Sequence, residues 1–372
     1  MRRDINFVLE LTRFISSAER FPSGSHHLSV RNFLKETLRG VGGFKNQTFE
    51  AILLKPIGGY VEVGLNRFSA IPYTNSPSKV VGGILTDSGY GLERELRGKN
   101  LKGKIALVRE GKLPFREKEK LLHRKGALGI VVFRSDVDEI YSGISAGLLP
   151  TVSVKPSDAR LLSEGSQVVI KSETKEVKVK GENIWLERGV GQKVLTLIAH
   201  YDTKPFTPGA IDNALSVALL LWLTINFEAP KGYRLRILFT DLEEYGLLGA
   251  THFVENLPTW EIIDTVAISV DTVGWRTPAI LLRDGEGFCS RSLISECWEV
   301  ANRLGLKIAF TEGRSGRSDH IPFRRKGARN LFLASNPFPY RHTPLDKFEI
   351  VSGEAVKLWM KFIPSLLRIA KF

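Results

Sequence analysis

Cysteine is scarce in this sequence. Cys289 and Cys297 are the two cysteines among 372 residues, which excludes a fold held together by several disulfides. If the two share a helix, they lie about 12 Å apart by helix rise, too far for a disulfide bond. Free thiols are typical of a reducing compartment, so we expect a cytoplasmic protein.

Long apolar runs are also missing. The longest largely apolar stretch, residues 217–225, falls well short of the roughly 20 residues that a transmembrane helix needs. The first residues, MRRDINFVLELTRF, contain neither a continuous apolar stretch nor a small-residue cleavage site. We therefore expect no signal peptide and no interaction with a membrane.

The sequence also lacks a concentrated basic segment. The net charge is +13, but lysine and arginine form neither one block nor a stripe interleaved with aromatic residues. Nucleic-acid-binding surfaces are built in one of those two ways, so we expect no nucleic-acid partner. A dispersed positive excess can instead attract acidic peptides.

What is present is an ordinary globular composition, long enough for two or three domains. From about residue 173 onward, strand-like and helix-like segments alternate, which favours a mixed, mostly parallel sheet flanked by helices. Residues 176–188 and 194–199 are interpreted as paired strands around a turn at 189–192. Residues 1–55 supply two further helices and a strand to the same domain, so we predict a domain of 1–55 and 173–372.

Residues 56–172 have a different character. They are rich in glycine, serine and proline, with short apolar runs at 82–85, 105–108, 129–133 and 152–154. The basic segment 116–125 is interpreted as an exposed helix. We predict a small strand-rich domain over 56–172, inserted into the larger one.

Acidic and imidazole side chains follow the predicted strands of the larger domain. His200 and Asp202 end one strand, Glu243 and Glu244 follow a second, and Asp271 ends a third. Ligands of open α/β sheets bind beyond the carboxyl ends of the strands. Two imidazoles and four carboxylates, those of His200, Asp212, Glu243, Glu244, Asp271 and His342, have the composition of a zinc-type site. Three ligands per ion with one shared carboxylate would hold two ions and leave one carboxylate free as a base.

At this point the sequence resembles a known family. It is similar to the di-zinc exopeptidases that include bacterial leucyl-type aminopeptidases and glutamate carboxypeptidases. The matching segments, in family order, are AHYDT (199–203), GAIDN (209–213), LEEYGLLGA (242–250), VDTVG (270–274), GRSDHIPF (316–323) and RHTPLD (341–346). A zinc aminopeptidase-like fold is what this resemblance implies.

The resemblance also implies roles for individual residues. It makes His200, Asp212 and Asp271 the ligands of one zinc ion, and Asp212, Glu244 and His342 those of a second. Glu243 is then the general base, and Asp202 accepts a hydrogen bond from His200 and fixes its tautomer. Cobalt is expected to substitute for zinc. Substrate contacts are expected from Ser318, Asp319, His320 and Tyr340, with Asp346 orienting the last loop.

The implied reaction is removal of N-terminal residues from peptides by an activated water. Carboxypeptidase, dipeptidase or glutaminyl-cyclase chemistry on the same site remains an alternative, as does an inactive receptor-like relative. Arg341 departs from the family, in which an aromatic residue often precedes the histidine, and leaves the preferred side chain open. A peptide is the expected partner, and a homo-oligomer is left open.

The inserted segment carries a second resemblance. The stretch LKGKIALVREGKLPFREKEKLLHRKGALGIVVF (101–133) is similar to the protease-associated domain that is inserted in many peptidases. Such a domain is implied to cover or gate the active site. A passive insertion explains the sequence equally well.

Overall fold

The computed structural model describes residues 4–313 and 316–369. Its α-helices are α1 Ile5–Ile15, α2 Ser25–Val41, α3 Phe115–Arg124, α4 Pro156–Ala159, α5 Leu215–Asn226, α6 Leu248–Glu255, α7 Thr259–Ile263, α8 Arg291–Leu304, α9 His320–Arg325 and α10 Gly353–Ile369. Its strands are β1 Phe44–Val63, β2 Asn66–Pro72, β3 Lys79–Asp87, β4 Lys104–Arg109, β5 Gly129–Phe133, β6 Thr151–Ser153, β7 Gln167–Arg188, β8 Lys193–His200, β9 Tyr233–Thr240, β10 Thr265–Val270, β11 Pro278–Arg283, β12 Ala309–Glu312 and β13 Arg329–Ser335.

All of these strands join one sheet, in the order β1-β2-β6-β5-β4-β3-β7-β9-β8-β10-β13-β11-β12. Strands β9, β8, β10 and β13 are mutually parallel and form the centre of the larger domain. Helices α1, α5, α8 and α10 cover one face, and α6 and α9 cover the other. The predicted mixed, mostly parallel sheet flanked by helices is confirmed.

One predicted pairing is wrong. Strands β7 and β8 are consecutive in the sequence, but β9 lies between them and pairs antiparallel with β7 and parallel with β8. Every residue of β8 after Lys193 is buried, as expected for a strand covered by helices on both faces. Such a strand belongs at the sheet centre, where β9 and β10 flank it.

The two domains are joined by a continuous ribbon. Strands β1 and β7 pair antiparallel from Phe44–Leu186 to Val63–Val168, with one irregularity between Pro56 and Gly58. The predicted domain junctions, 55/56 and 172/173, both lie inside this ribbon. The inserted module is therefore connected to the larger domain by paired strands.

Helix α3 of the inserted module is less exposed than its charge suggested. Lys118 and Glu119 are fully buried. The Lys118 ammonium donates to the Arg109 carbonyl (2.6 Å), and the Glu119 carboxylate accepts from the backbone amides of Leu148 and Leu149 (both 2.9 Å). Lys118 thereby holds the segment that follows β4, and Glu119 holds the segment before β6; both segments reach the site described below.

Two composition-based expectations can be compared with the fold. Cys289 and Cys297 are both buried and unpaired. Among the helices of the described residues, none combines the length and apolar character that a membrane crossing requires.

Candidate metal centre

The carboxyl ends of three parallel strands bring the predicted acidic and imidazole groups together. His200 is the last residue of β8, and Asp271 directly follows β10. Glu243 and Glu244 lie on a short 3-10 turn after β9, entered through Leu242 in the left-handed region (φ 55°). Neighbouring parallel strands end at one edge of the sheet, so residues distant in sequence meet there.

Asp212 reaches the same edge from a loop. It precedes α5 in a turn where its backbone is not helical (φ −115°, ψ 80°). The Asp346 carboxylate accepts from the backbone amides of Ile211 (2.8 Å) and Asp212 (3.0 Å). The Asn213 side chain donates to the carbonyl of Val270 (3.0 Å), the residue before Asp271. Asp346, which lies on the same loop as His342, thus orients the turn that contains Asp212.

Five of the predicted residues form two groups of three that share Asp212, and within each group the ligand atoms lie within 4.8 Å of one another. Asp212 Oδ1 is 3.1 Å from His200 Nε2, and Asp212 Oδ2 is 3.3 Å from His342 Nε2. His200 Nε2 is 3.6 Å from Asp271 Oδ1. His342 Nε2 is 3.0 Å from Glu244 Oε2. The shared carboxylate directs one oxygen to each group.

Both groups have the chemistry of zinc ligands. His200 Nε2, Glu244 Oε1 and Asp271 Oδ1 are buried and have no hydrogen-bond partner among the described residues, an arrangement that is costly unless another group satisfies them. Two ligands of a tetrahedral zinc ion lie about 3.4 Å apart, and the separations of 3.0–3.6 Å lie around that value. Imidazole nitrogen and carboxylate oxygen both suit zinc.

The environment drives the pKa values of two carboxylates apart. Burial opposes ionisation of Asp212, but hydrogen bonds from His200 and His342 hold its pKa far below the usual range. Burial raises the pKa of Glu243 well above its ordinary value; His200 opposes this shift and Glu244 adds to it. Separation of this kind is how one site provides both an ionised ligand and a proton-transfer group.

Asp202 contacts the backbone of Glu243 and Glu244 as well as the ring of His200. Its carboxylate oxygens accept from the backbone amides of Glu243 (3.1 Å) and Glu244 (3.2 Å). His200 Nδ1 is 3.2 Å from the backbone carbonyl of Asp202 and 3.6 Å from its carboxylate. The predicted contact with His200 therefore runs mainly through the main chain.

Arg20 is a buried positioning group that sequence reasoning missed. Its guanidinium donates to the carbonyls of Tyr201 (2.7 Å), Pro208 (2.6 Å) and Gly209 (2.9 Å). Burial lowers the pKa of Arg20 to about 10, and Asp346 partly opposes that shift. Arg20 thereby fixes the chain on both sides of the loop that leads to Asp212. It lies outside every motif, so no sequence signal singled it out.

The inserted module contacts the His342 loop directly. The Tyr141 hydroxyl is 3.0 Å from His342 Nδ1, and the Ser142 amide donates to the His342 carbonyl (2.8 Å). The Arg134 guanidinium donates to the carbonyls of Arg341 (2.9 Å) and Pro339 (2.8 Å). A residue of the inserted module therefore orients the ring of a candidate ligand from the larger domain.

The residues expected to contact substrate lie outside the described lining of the cavity over the candidate site. Ser318, Asp319 and His320 are buried, and the His320 ring contacts Ser269 Oγ (3.2 Å) and Asp284 (2.7 Å). Burial raises the pKa of Asp319 to about 7. Tyr340 packs edge-on against Trp275, with ring centroids 5.4 Å apart. None of these four is among the described residues that line the cavity over the candidate site.

A third cluster of ligand-type side chains, Asp284, Cys289 and His320, is already satisfied. Arg324 donates to both carboxylate oxygens of Asp284 (2.6 and 3.0 Å), and His320 donates to the same carboxylate (2.7 Å). Burial raises the pKa of the Cys289 thiol to about 12. A bidentate guanidinium and a protonated thiol make this a structural network and not a metal site.

A cavity of about 690 Å³ opens over the two groups. Asp212, Glu243, Glu244, Asp271 and His342 line its floor, and residues 110–116, 134–136, 141 and 143–146 of the inserted module form the opposite wall. The inserted module thus encloses the space in which a ligand of the site would lie.

Comparison with known proteins shows similarity to peptidases. Residues 183–366 match the model of peptidase family M28, and residues 74–162 match that of the PA domain. Aminopeptidase YwaD of Bacillus subtilis is 28% identical over 73% of this chain and 63% of its own length. The probable lipoprotein aminopeptidase LpqL of Mycobacterium tuberculosis is 28% identical over 61% and 49%. The chain thus spans about half to two thirds of these curated relatives.

Solved structures share the fold. The aminopeptidase from Aneurinibacillus sp. strain AM-1 superposes with a TM-score of 0.78 at 22% identity, covering 98% of this chain and 93% of that one. The zinc aminopeptidase BSAP from Bacillus subtilis gives 0.76 at 20% identity, with the same coverage. The zinc aminopeptidase-like fold with an inserted protease-associated domain is confirmed.

Proposed function

This chain carries a peptidase family M28 domain with an inserted PA domain, and on that premise we propose that it is a metal-dependent aminopeptidase with Glu243 as its general base. Relatives named as aminopeptidases support the reaction. The two ligand groups that share Asp212 support a pair of metal ions.

One observation carries the proposal most directly. The Glu243 carboxylate lines the cavity, and its Oε2 lies 4.0 Å from His200 Nε2. Within the described part of the chain it accepts no side-chain or backbone hydrogen bond. A buried carboxylate that is close to the ligand groups, faces the cavity and has no hydrogen-bond partner among the described residues is free to accept a proton from a water molecule.

In this proposal His200, Asp212 and Asp271 hold one zinc ion, and Asp212, Glu244 and His342 hold the other. Bound zinc would supply two effects, a lower pKa for water and polarisation of the peptide carbonyl. The protein residues perform the remaining steps. Glu243 Oε2 accepts the proton of the attacking water and returns it to the nitrogen of the leaving amine.

Asp202 positions this base, because its two carboxylate oxygens hold the backbone amides of Glu243 and Glu244. The carboxylates of the cavity floor also favour a cationic group. An unblocked α-ammonium would satisfy that preference at the first residue of a peptide. Because the site favours a free amino terminus, we propose aminopeptidase activity among the possible exopeptidase reactions.

The reaction class can be tested with matched substrates. The zinc-loaded protein is expected to hydrolyse leucine 4-nitroanilide, and N-acetyl-leucine 4-nitroanilide about 10⁴-fold more slowly, because a polar site rejects an analogue that lacks the group it binds. Release of 4-nitroaniline measures both rates. Equal rates, or cleavage only of substrates with a free carboxyl terminus, would contradict an aminopeptidase and favour the alternative reactions on this site.

Tyr141 is proposed to position His342 from the inserted module. Tyr141→Phe removes the hydroxyl that lies 3.0 Å from His342 Nδ1, and we expect about 10- to 100-fold weaker binding of one zinc ion. Competition with a chromophoric chelator measures both affinities. Tyr60→Phe, the same change elsewhere in the module, is the control. Unchanged affinity at both sites in Tyr141→Phe would contradict the positioning role.

A further inference from the structure

Basic residues are unexpectedly common around a cavity whose floor is acidic. Among the described lining residues are Lys112, Arg116, Arg134, Lys204, Arg317 and Arg341. Four of them have carboxylate partners, namely Arg116 with Glu117 (3.2 Å), Arg134 with Asp136, Lys204 with Glu244 (3.4 Å) and Arg317 with Glu286 (3.3 Å). Lys112 lies over the Tyr90 ring, 4.2 Å from its centroid.

Arg341 differs from the other five. Its backbone carbonyl accepts from Arg134 (2.9 Å), but its guanidinium forms no ion pair or hydrogen bond with any of the residues that the structure describes. A guanidinium carries five donors and keeps its charge at every relevant pH. Leaving such a group half-buried with no hydrogen-bond or ion-pair partner among the described residues is unfavourable, which points to a ligand that the free protein lacks.

The position of Arg341 suggests where that ligand lies. Arg341 precedes His342 and lines both the large cavity and a smaller one of about 220 Å³. The two cavities share Thr272, Phe332 and Arg341. The smaller cavity has mainly apolar and uncharged polar walls, with Glu312 as the one carboxylate among its described residues. Arg341 therefore lies where the smaller cavity adjoins the large cavity over the candidate site.

Charge balance identifies the chemistry of the ligand. Asp212, Glu243, Glu244 and Asp271 give the cavity floor four carboxylates, and two divalent zinc ions together with the α-ammonium of a bound peptide would more than compensate their charge. Arg341 would then be a cation with no counter-charge beside the loaded site, and a carboxylate is the group that pairs with guanidinium in bidentate geometry.

We infer that Arg341 binds a substrate carboxylate and makes the enzyme selective for acidic peptides, with an N-terminal glutamate or aspartate side chain as the preferred ligand. This inference rests on the proposed aminopeptidase activity. The carboxylate can also come from the carboxyl terminus of a dipeptide, which offers the same chemistry to the same guanidinium.

The test compares substrates that differ in charge and hardly in shape. For the zinc-loaded wild type, kcat/KM for glutamate 4-nitroanilide is expected to exceed that for glutamine 4-nitroanilide by about 10- to 100-fold, the range for a hydrogen bond between charged groups. The pair leucyl-leucine and leucyl-leucinamide tests the carboxyl terminus in the same way. Each ratio is taken within one variant, so general losses of activity cancel.

If the wild type prefers the charged member of a substrate pair, Arg341→Met should bring that kcat/KM ratio close to one. Arg341→Lys should give an intermediate ratio, because it keeps the charge and loses the planar guanidinium. Arg317→Met is the matched control; it removes a basic residue of the same cavity that already pairs with Glu286, and it should keep the wild-type ratio. The zinc content of each variant is measured, since Arg341 adjoins His342.

The possible results distinguish failure of this inference from failure of the proposed function. A glutamate-to-glutamine preference that Arg341→Met abolishes supports the inference, and a preference confined to the free dipeptide supports it with the terminus as the source. Hydrolysis of leucine 4-nitroanilide without either preference, or a preference unaltered in Arg341→Met, overturns the inference and leaves the proposed function intact. Absence of hydrolysis for every free-amine substrate overturns the proposed function itself.

Discussion

Glu243→Gln is expected to lower kcat by about 10²–10⁴-fold, the contribution of a positioned general base, while the protein keeps its zinc. The amide has nearly the same shape as the carboxylate but cannot accept the proton of the attacking water. Glu243 belongs to neither ligand group, so metal binding should survive. Turnover of leucine 4-nitroanilide and zinc content by atomic emission measure the two effects in one sample.

The adjacent residue provides the control for this prediction. Glu244→Gln makes the same chemical change one position along the chain, but Glu244 Oε2 lies 3.0 Å from His342 Nε2 in a ligand group. We expect Glu244→Gln to lose zinc from that group, in contrast to Glu243→Gln. Turnover near the wild-type rate in Glu243→Gln would rule out its role as the base.

Asp212→Asn is expected to have the most far-reaching effect on metal binding. Asp212 is the one residue common to both ligand groups, and its two oxygens lie 3.1 Å from His200 Nε2 and 3.3 Å from His342 Nε2. An amide offers one neutral oxygen in place of two oxygens that share a negative charge, so one group loses its ligand and the other keeps only a weaker, neutral one. Zinc content should fall towards zero, and turnover should fall by at least about 10³-fold, since loss of several kcal/mol of stabilisation corresponds to that factor.

Asp271→Asn distinguishes this bridging role from general damage to the site. Asp271 belongs only to the group with His200, so its variant should retain one zinc ion. Circular dichroism of both variants checks that the fold is kept. If Asp212→Asn retained a full zinc complement, or lost no more than Asp271→Asn, the bridging assignment would be contradicted.

Strand-end chemistry explains why so much of the candidate site could be predicted from the sequence. His200, Glu243, Glu244 and Asp271 each follow an apolar run that forms a buried parallel strand. The ends of neighbouring parallel strands coincide in space, so a local pattern in the sequence becomes a cluster in the fold. Asp212 lies at the start of a helix beside the same edge, where an apolar segment following an acidic residue also leaves a visible pattern.

Other features depend on contacts that no local pattern encodes. The hairpin expected between β7 and β8 does not form, because β9, which begins more than thirty residues after β8 ends, lies between them and pairs antiparallel with β7 and parallel with β8. Tyr141 reaches His342 from a different domain, and Arg20 reaches the Asp212 loop from the N-terminal segment. Their roles arise from docking geometry, and their residue types are unremarkable in sequence.

The residues expected to contact substrate show a second limit of prediction from the sequence. Ser318, Asp319 and His320 lie in a recognisable motif, but the position of a motif does not specify which way its side chains face. The pairing of His320 with Asp284 directs this segment into the protein interior. Tyr340 precedes the ligand loop, yet its ring packs in an aromatic cluster with Trp275 and Phe338. Arg341, between Tyr340 and His342, lines the cavity, and its guanidinium has no ion-pair partner among the described residues.

Activity measured during zinc titration of the metal-free protein tests the central claim most directly. The protein is stripped with a chelator, zinc is added in known equivalents, and hydrolysis of leucine 4-nitroanilide and its N-acetyl derivative is followed. We predict no hydrolysis without metal, and activity on the free-amine substrate alone that reaches its maximum at about two equivalents, one for each ligand group. Full activity in the metal-free protein, or a protein with two bound zinc ions that cleaves no free-amine substrate, would contradict the account.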